Sequence, residues 1–363
     1  MNRAALTESL ATAGTTNGMR IIRKLSRRVV LLVAVGVFIA SVGAGIALAR
    51  GTAKPIGTGV VVIDTNLAYQ GGAAAGTGMV LTSSGEVLTN NHVISGATSI
   101  KVVVPKTGHS YKARVLGYDR TADVALLQLQ GASNLKTVSI SSAKLHVGAT
   151  VKALGNAGGT GSITSATGTV TGLGKSITAS DDQGGSEQLT GLIETNAGIE
   201  PGDSGGPLVN SQGRVVGMDT AASSVFGFQD VSATDAYAIP IAKALTIANA
   251  ISSGRASATV HIGATAFLGI EVQSVDALGY GYGGESVSGA LIAGVVSGGP
   301  AASAGLAAGD VITAINGRTV SSPAAISAFV LTKKPGAKIR VRYLDQSGAS
   351  QTASVTLGSG PAQ

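Results

Sequence analysis

Residues 200–208 read Glu-Pro-Gly-Asp-Ser-Gly-Gly-Pro-Leu, one serine hydroxyl set among glycines. Amide hydrolysis needs a nucleophile, a base that later returns its proton, and donors for the developing oxyanion. Glycine at 202, 205 and 206 lets the backbone bend until two N–H groups converge beside the Ser204 hydroxyl, and keeps side chains out of a substrate's way. Two segments upstream supply the remaining groups. Thr89-Asn90-Asn91-His92-Val93 holds an imidazole whose ordinary pKa lies near working pH. Asp123 opens the apolar run Val124–Leu127, where its carboxylate can fix one imidazole tautomer and stabilise the charged ring. A lone histidine after a strand is ordinarily a loop residue, and a lone aspartate before one is ordinarily a cap. In the chain order His, Asp, Ser the three match one of the convergent arrangements for acyl transfer.

The surroundings are β-rich. From Lys54 to about Ile241, short runs of Val, Ile and Thr alternate with Gly-rich turns, which predicts an all-β barrel or sandwich. Expected strands include Gly78–Leu81, Glu86–Leu88, Ser99–Val104, Val124–Gln130, Thr150–Leu154, Pro207–Val209 and Val215–Asp219. Ile241–Ile251 has helical spacing and ends in Ser-Ser-Gly, which suits a closing helix and linker. A second, α+β unit follows. It has expected strands at Phe267–Gln273, Ala290–Val296, Asp310–Ile315, Lys338–Tyr343 and Gln351–Thr356, and helices at Ala301–Gly305 and Pro323–Leu331. Gly358–Gln363 reads as a loose tail.

Three patterns then carry a resemblance. TNNHV (89–93), DVALL (123–127) and PGDSGGPL (201–208) are similar to the TNxHV, DxALL and PGxSGGPL patterns of the HtrA/Deg (DegP-like) family of trypsin-like serine peptidases. ALGNAGG (153–159), ETNAGIEPG (194–202) and AYAIPI (236–241) extend the likeness. The resemblance implies a trypsin-like all-β double barrel with His92, Asp123 and Ser204 as catalytic triad. It also implies an oxyanion hole made by the N–H groups of Gly202 and Ser204. Asp203 departs from the family, which usually has Asn there. Gly198 lies six positions before the nucleophile, where trypsin-like enzymes that cut after Lys or Arg carry an acid, so cleavage after small or aliphatic residues is expected.

The second unit resembles an HtrA-type PDZ domain through GGPAASAGLAAGDVITAINGRTV (298–320) and FLGI (267–270). The N–H groups of Leu268, Gly269 and Ile270 are expected to cradle a terminal carboxylate. An extended peptide would then add to Ile270–Gln273, with Ile326 and Val330 lining the groove. Those two side chains read equally well as core of a small domain, and Phe267 stands where small residues are common.

Charge is concentrated at the N-terminus. The 363 residues carry a formal +7, yet residues 51–363 hold nineteen basic and eighteen acidic side chains. A basic stripe over a folded domain is therefore not expected, and nucleic acid is excluded as a partner. Arg27 and Arg28 precede 21 uncharged residues, Val29–Ala49, about 31 Å long as a helix. The positive-inside rule places residues 1–28 in the cytoplasm and the body outside. Ala47-Leu48-Ala49 also resembles a signal-peptidase site, so release after cleavage near Ala49 stays open.

The expected domains are thus a cytoplasmic basic segment (1–28), a transmembrane helix or signal peptide (29–49), the protease domain (50–241), helix and linker (242–263), PDZ domain (264–357) and tail (358–363). With no cysteine and four scattered histidines, neither a metal nor another cofactor is expected. The expected function is a cell-envelope serine endopeptidase acting on unfolded or C-terminally exposed exported proteins. The resemblance adds a homo-oligomer, a trimer in that family. The alternative is a PDZ-bearing adaptor or chaperone with a latent protease domain.

Overall fold

The computed structural model describes residues 57–180, 186–222, 235–275 and 288–362. The expected membrane segment Val29–Ala49 and the basic residues before it lie outside these. Among the described residues no helix is long and apolar enough to cross a membrane.

Two closed antiparallel barrels make up the first part. In the first, β1 (Val60–Leu67), β2 (Gly72–Val80), β3 (Glu86–Thr89), β4 (Ser99–Val104), β5 (His109–Asp119) and β6 (Val124–Leu129) run in the order β5-β4-β1-β2-β3-β6, and β5 pairs with β6 to close the ring. The second comprises β7 (Thr150–Gly155), β8 (Thr164–Ser180), β9 (Ser186–Thr195), β10 (Pro207–Asn210), β11 (Val215–Ala222) and β12 (Ala236–Pro240), ordered β10-β11-β12-β9-β8-β7. Closure leaves neither ring an open edge.

Period-two alternation explains why these strands read as continuous apolar runs. Along β6, Ala125, Leu127 and Leu129 point into the first barrel, while Val124 and Leu126 point out into a layer between the barrels. Along β10, Leu208 fills the second barrel and Val209 joins the same layer. Helix α2 (Ile241–Ser252; the short α1 is described below) covers that layer with Ile241, Ala244, Ala248 and Ile251. Burial of this kind contributes roughly 25 cal/mol per Å² of apolar surface.

Beyond shifts of element bounds, the structure departs from the expected elements in the following places. β1 is not among the expected strands, because Asp64 and Asn66 carry turn chemistry into it. Residues 260–262, expected as linker, form β13 (Val260–Ile262), which pairs with β5 beside the first barrel. The single strand expected over Phe267–Gln273 breaks at Gly269, whose φ of 78° divides it into β14 (Thr265–Phe267) and β15 (Ile270–Ser274). The tail is not loose: β21 (Gly358–Gly360) pairs with β14, and Ala362 is buried.

The second unit is built on a sheet of β15, β16 (Ala290–Val295), β17 (Val311–Ile315), β19 (Lys338–Leu344) and β20 (Ser350–Thr356) in that order, with β18 (Arg318–Thr319) beside β17. Helices α3 (Pro300–Ser303) and α4 (Pro323–Leu331) both begin with proline, whose fixed φ suits a first helical position. Ile292, Ile312, Ile326, Val330, Val341 and Val355 share its core. β15 stands at one end of the sheet order, as peptide addition requires.

Candidate active site

His92 sits in α1 (Asn91–Ile94), a single helical turn leaving β3, and Asp123 sits at the start of β6. β3 and β6 are paired neighbours, Thr89 opposite Ala125, so the barrel itself brings the two residues together. His92 Nδ1 lies 2.9 Å from Asp123 Oδ2, and the His92 backbone N–H donates to Asp123 Oδ1 at 3.0 Å. With a carboxylate opposite, Nδ1 carries the proton and the Nε2 lone pair faces away from it. Asn90 Nδ2 donates to the Asp123 carbonyl at 2.9 Å. Asp123 is buried and holds a φ of 52°, a left-handed conformation that aspartate tolerates better than most residues.

Ser204 comes from the other barrel, on the turn leading into β10. Gly202 (φ 98°) and Gly205 (φ 84°) make that turn possible: a Cβ on either would lie 2.2 Å from Asn156 O or 2.1 Å from Thr77 O. Inside the loop, Asp203 N–H donates to Glu200 O, Gly206 N–H to Asp203 O and Gly205 N–H to Asp219 O. Among the described residues the N–H groups of Gly202 and Ser204 donate to no acceptor. Those are the two expected at the oxyanion position.

Two threonines unmarked by sequence patterns assemble the site. Thr220 on β11 accepts the Ser204 hydroxyl on its carbonyl at 3.3 Å, and its own hydroxyl donates to Asp123 Oδ2. It therefore spans the Ser204 hydroxyl and the Asp123 carboxylate. Thr77 on β2 joins the barrels: its Oγ1 donates to Gly202 O at 2.7 Å and accepts Asn156 N–H at 2.9 Å, while its N–H donates to Ser204 O at 2.9 Å. Thr89 Oγ1 in turn donates to Thr77 O at 2.7 Å. None of these pairs is local in sequence, which is why spacing alone does not find them.

Beneath the loop lie two buried carboxyls. Asp203 accepts the Glu200 N–H at 2.9 Å, but burial, aided by the Glu200 charge, pushes its pKa up to about 6. Asp219 is fully buried, and burial followed by the nearby Asp203 charge holds its pKa well above the usual carboxylate range. At Gly198 a Cβ would meet nothing within 4 Å, so space is open where basic-specific enzymes place an acid.

In the second unit Leu268 is buried, its carbonyl accepting Ala301 N–H at 3.0 Å, while Gly269 O accepts Val296 N–H at 3.0 Å. The N–H groups of Leu268 and Gly269 meet no acceptor among the described residues. Ile270 is half-buried, whereas Ile326 and Val330 are buried in the domain core, so any part they take in a groove is as its floor. Residues 175–189 are mostly the paired ends of β8 and β9; only 181–185 lie outside the described residues. Among the described residues no cluster of three His, Asp or Glu side chains could hold a metal ion.

A family model described as a trypsin-like peptidase domain matches residues 76–218, and one described as a PDZ domain matches 266–357. The serine protease PepD of Mycobacterium tuberculosis is 35% identical over 315 residues, covering 82% of this chain and 63% of PepD. A probable periplasmic serine endoprotease, DegP-like, of Pseudomonas putida strain W619 is 36% identical, covering 79% of this chain and 56% of its own length. This chain thus spans about three-fifths of the curated relatives it matches. Among solved structures, the HtrA-type protease AlgW with a tripeptide aligns at 28% identity and a TM-score of 0.47, covering 84% of this chain and 94% of that one.

Proposed function

We propose that this chain, a trypsin-like peptidase domain followed by a PDZ domain, is a serine endopeptidase of the HtrA/Deg (DegP-like) family. It acts outside the cytoplasm, through His92, Asp123 and Ser204, on unfolded or damaged exported proteins. The observation that carries the reading is the Thr220 bridge. One residue holds the Ser204 hydroxyl and the carboxylate that orients His92, beside two unspent N–H groups.

The chemistry follows from that arrangement. The Ser204 hydroxyl turns from the Thr220 carbonyl and attacks the scissile carbonyl carbon as His92 Nε2 takes its proton. Asp123 stabilises the imidazolium, and the Gly202 and Ser204 N–H groups receive the oxyanion. The imidazolium then protonates the leaving amine, the peptide bond breaks, and an acyl-enzyme remains. Water attacks that ester with His92 again as base, returning the Ser204 hydroxyl. The open space at Gly198 supports cleavage after small or aliphatic residues. Leu268, Gly269 and Ile270 supply a carboxylate cradle for exposed C-termini. Val29–Ala49 serves as the membrane span or export signal, and the family resemblance adds a trimer.

A fluorophosphonate probe tests the reading on the full chain. Labelling of the native protein and none of Ser204→Ala is expected. Equal labelling of both, or labelling of neither even with an added C-terminal peptide, overturns the enzyme in favour of a peptide-binding adaptor.

A further inference from the structure

Two buried carboxyls take no part in the chemistry proposed above, and both lie under the turn that carries Ser204. Asp203 is 4% exposed and Asp219 is fully buried. Asp203 stands between Gly202 and Ser204, the proposed oxyanion donors, and its carbonyl belongs to the same peptide unit as the Ser204 N–H. Asp219 grips that turn from β11. Its carbonyl accepts Gly205 N–H and its N–H donates to Gly206 O, both at 2.8 Å, while Gly206 N–H donates to Asp203 O at 2.8 Å. A Cβ at Gly155 would lie 2.5 Å from Asp203 Oδ1, so that oxygen is pressed against β7.

Glu200 N–H satisfies Asp203 Oδ2 at 2.9 Å. The other three oxygens of the two carboxyls, Asp203 Oδ1 and both of Asp219, are buried with no hydrogen-bond partner. Among the described residues neither carboxyl stands in an ion pair. The Leu154 N–H acts on Asp219 without reaching hydrogen-bond geometry. The strands around them bring no charge of their own: β7 presents Leu154 and Gly155, β10 presents Pro207 and Leu208, and β12 presents Ala238 opposite Asp219. Glu200 adds negative charge beside Asp203, and Asp123 with His92 lies beyond Thr220. Two buried anions without a cation are costly. A proton removes the conflict, because a carboxylic acid donates where a carboxylate only accepts.

We propose that Asp203 and Asp219 are a positioning pair that shares one proton at neutral pH, the Asp219 acid donating to Asp203 Oδ1 and so fixing the peptide units that carry the two oxyanion donors. Such a pair releases its protons in two steps that belong to both groups. The first leaves at about pH 6, where burial places Asp203. The second is held by burial and by the neighbouring negative charge. A hydrogen bond from an acid to a carboxylate is strengthened by the charge, so the turn is gripped best with one proton in place. Losing that proton sets two like charges against each other and frees the Asp203 side chain from β11. The Ser204 N–H then shifts with the Asp203 carbonyl. The effect falls on rate rather than affinity, because these donors serve the charge that develops in the transition state.

The kinetic half of this proposal rests on the serine-endopeptidase reading; the shared proton does not. The full native chain, Asp219→Asn and Asp219→Ala are compared by infrared spectroscopy at pH 7.5, where ordinary carboxyls are ionised and a protonated one stands out by its carbonyl stretch. The native protein is expected to show that stretch and both variants to lack it. Its absence from the native protein, or its survival in Asp219→Asn, overturns the proposal. On a peptide substrate Asp219→Ala, which leaves Asp203 without a donor, is expected to lower kcat about tenfold with KM within about twofold. Asp219→Asn, whose amide donates without ionising, should recover most of that loss. A kcat for Asp219→Ala equal to the native value also overturns the proposal. Raising the pH separates positioning from packing: fluorophosphonate labelling of the native protein falls as the stretch fades, and labelling of Asp219→Asn does not follow it. Native labelling that holds after the stretch has gone, or an identical alkaline decline in both proteins, contradicts the proposal. If no form takes up the probe or cuts peptide, the endopeptidase reading fails while the infrared band still decides whether the proton is there. Should Asp219→Ala not fold, the infrared and labelling comparison of Asp219→Asn with the native protein carries the test.

Discussion

At the scale of single residues, Thr220 and Asp203 show how neighbours set the chemistry. Replacing Thr220 by Val removes the hydroxyl donor from Asp123 and leaves the carbonyl that takes the Ser204 hydroxyl. A hydrogen bond to a charged group is worth about 1.5–3 kcal/mol, so kcat should fall roughly 10- to 100-fold with KM little changed, and Thr220→Ser should restore most of it. Steady-state kinetics on the three proteins check this. For Asp203 the sign comes from its raised pKa of about 6 against 3.8 unfolded. The folded protein binds the proton more tightly, so this stabilising contribution is present below about pH 4 and is lost as pH rises through about 6. Asp203→Asn keeps an acceptor for the Glu200 N–H without ionising. It is expected to raise Tm by several degrees at pH 7.5, with the gain vanishing by pH 4, from at most about 3 kcal/mol. A Tm difference that grows on acidification contradicts that origin.

At the scale of elements, the grip between β2 and the nucleophile turn is the sharpest case. Thr77→Val leaves Gly202 O and Asn156 N–H without their shared partner inside a buried seam. A loss of about 1–3 kcal/mol in urea unfolding is expected, together with lower kcat, and Thr77→Ser should recover both. The same elements show what sequence can reveal. The Ser204 turn is legible because its geometry demands glycine at fixed local positions, and β4 and α4 match their expected bounds because composition and proline mark them. Thr77 is not legible: its partner Gly202 lies 125 residues away, and an ordinary strand threonine carries no local sign of that. β13 and β21 are hidden for a related reason. Each is three residues long and borrows its partner from a distant strand, so neither has a pattern of its own.

At the scale of the whole molecule, the two units share contacts rather than a bare tether. β13 extends the first barrel's sheet, Tyr118 meets Thr265 across a 3.2 Å hydroxyl pair, and Phe267 lies on Tyr69. The described body should therefore melt as one cooperative transition in calorimetry. Phe267→Ala removes an aromatic pair worth about 0.5–1.5 kcal/mol and should lower or split that transition. Two separate transitions already present in the native protein would refute the coupling. The division of the site between two barrels reaches further. His92 and Asp123 belong to the first ring and Ser204 to the second, so neither ring alone has the means to cut a peptide bond. In the endopeptidase proposed above, hydrolytic power is born only when both halves have matured and docked. Heat that begins to part them would disarm such an enzyme before it could ruin its siblings, a safety catch with no separate inhibitor.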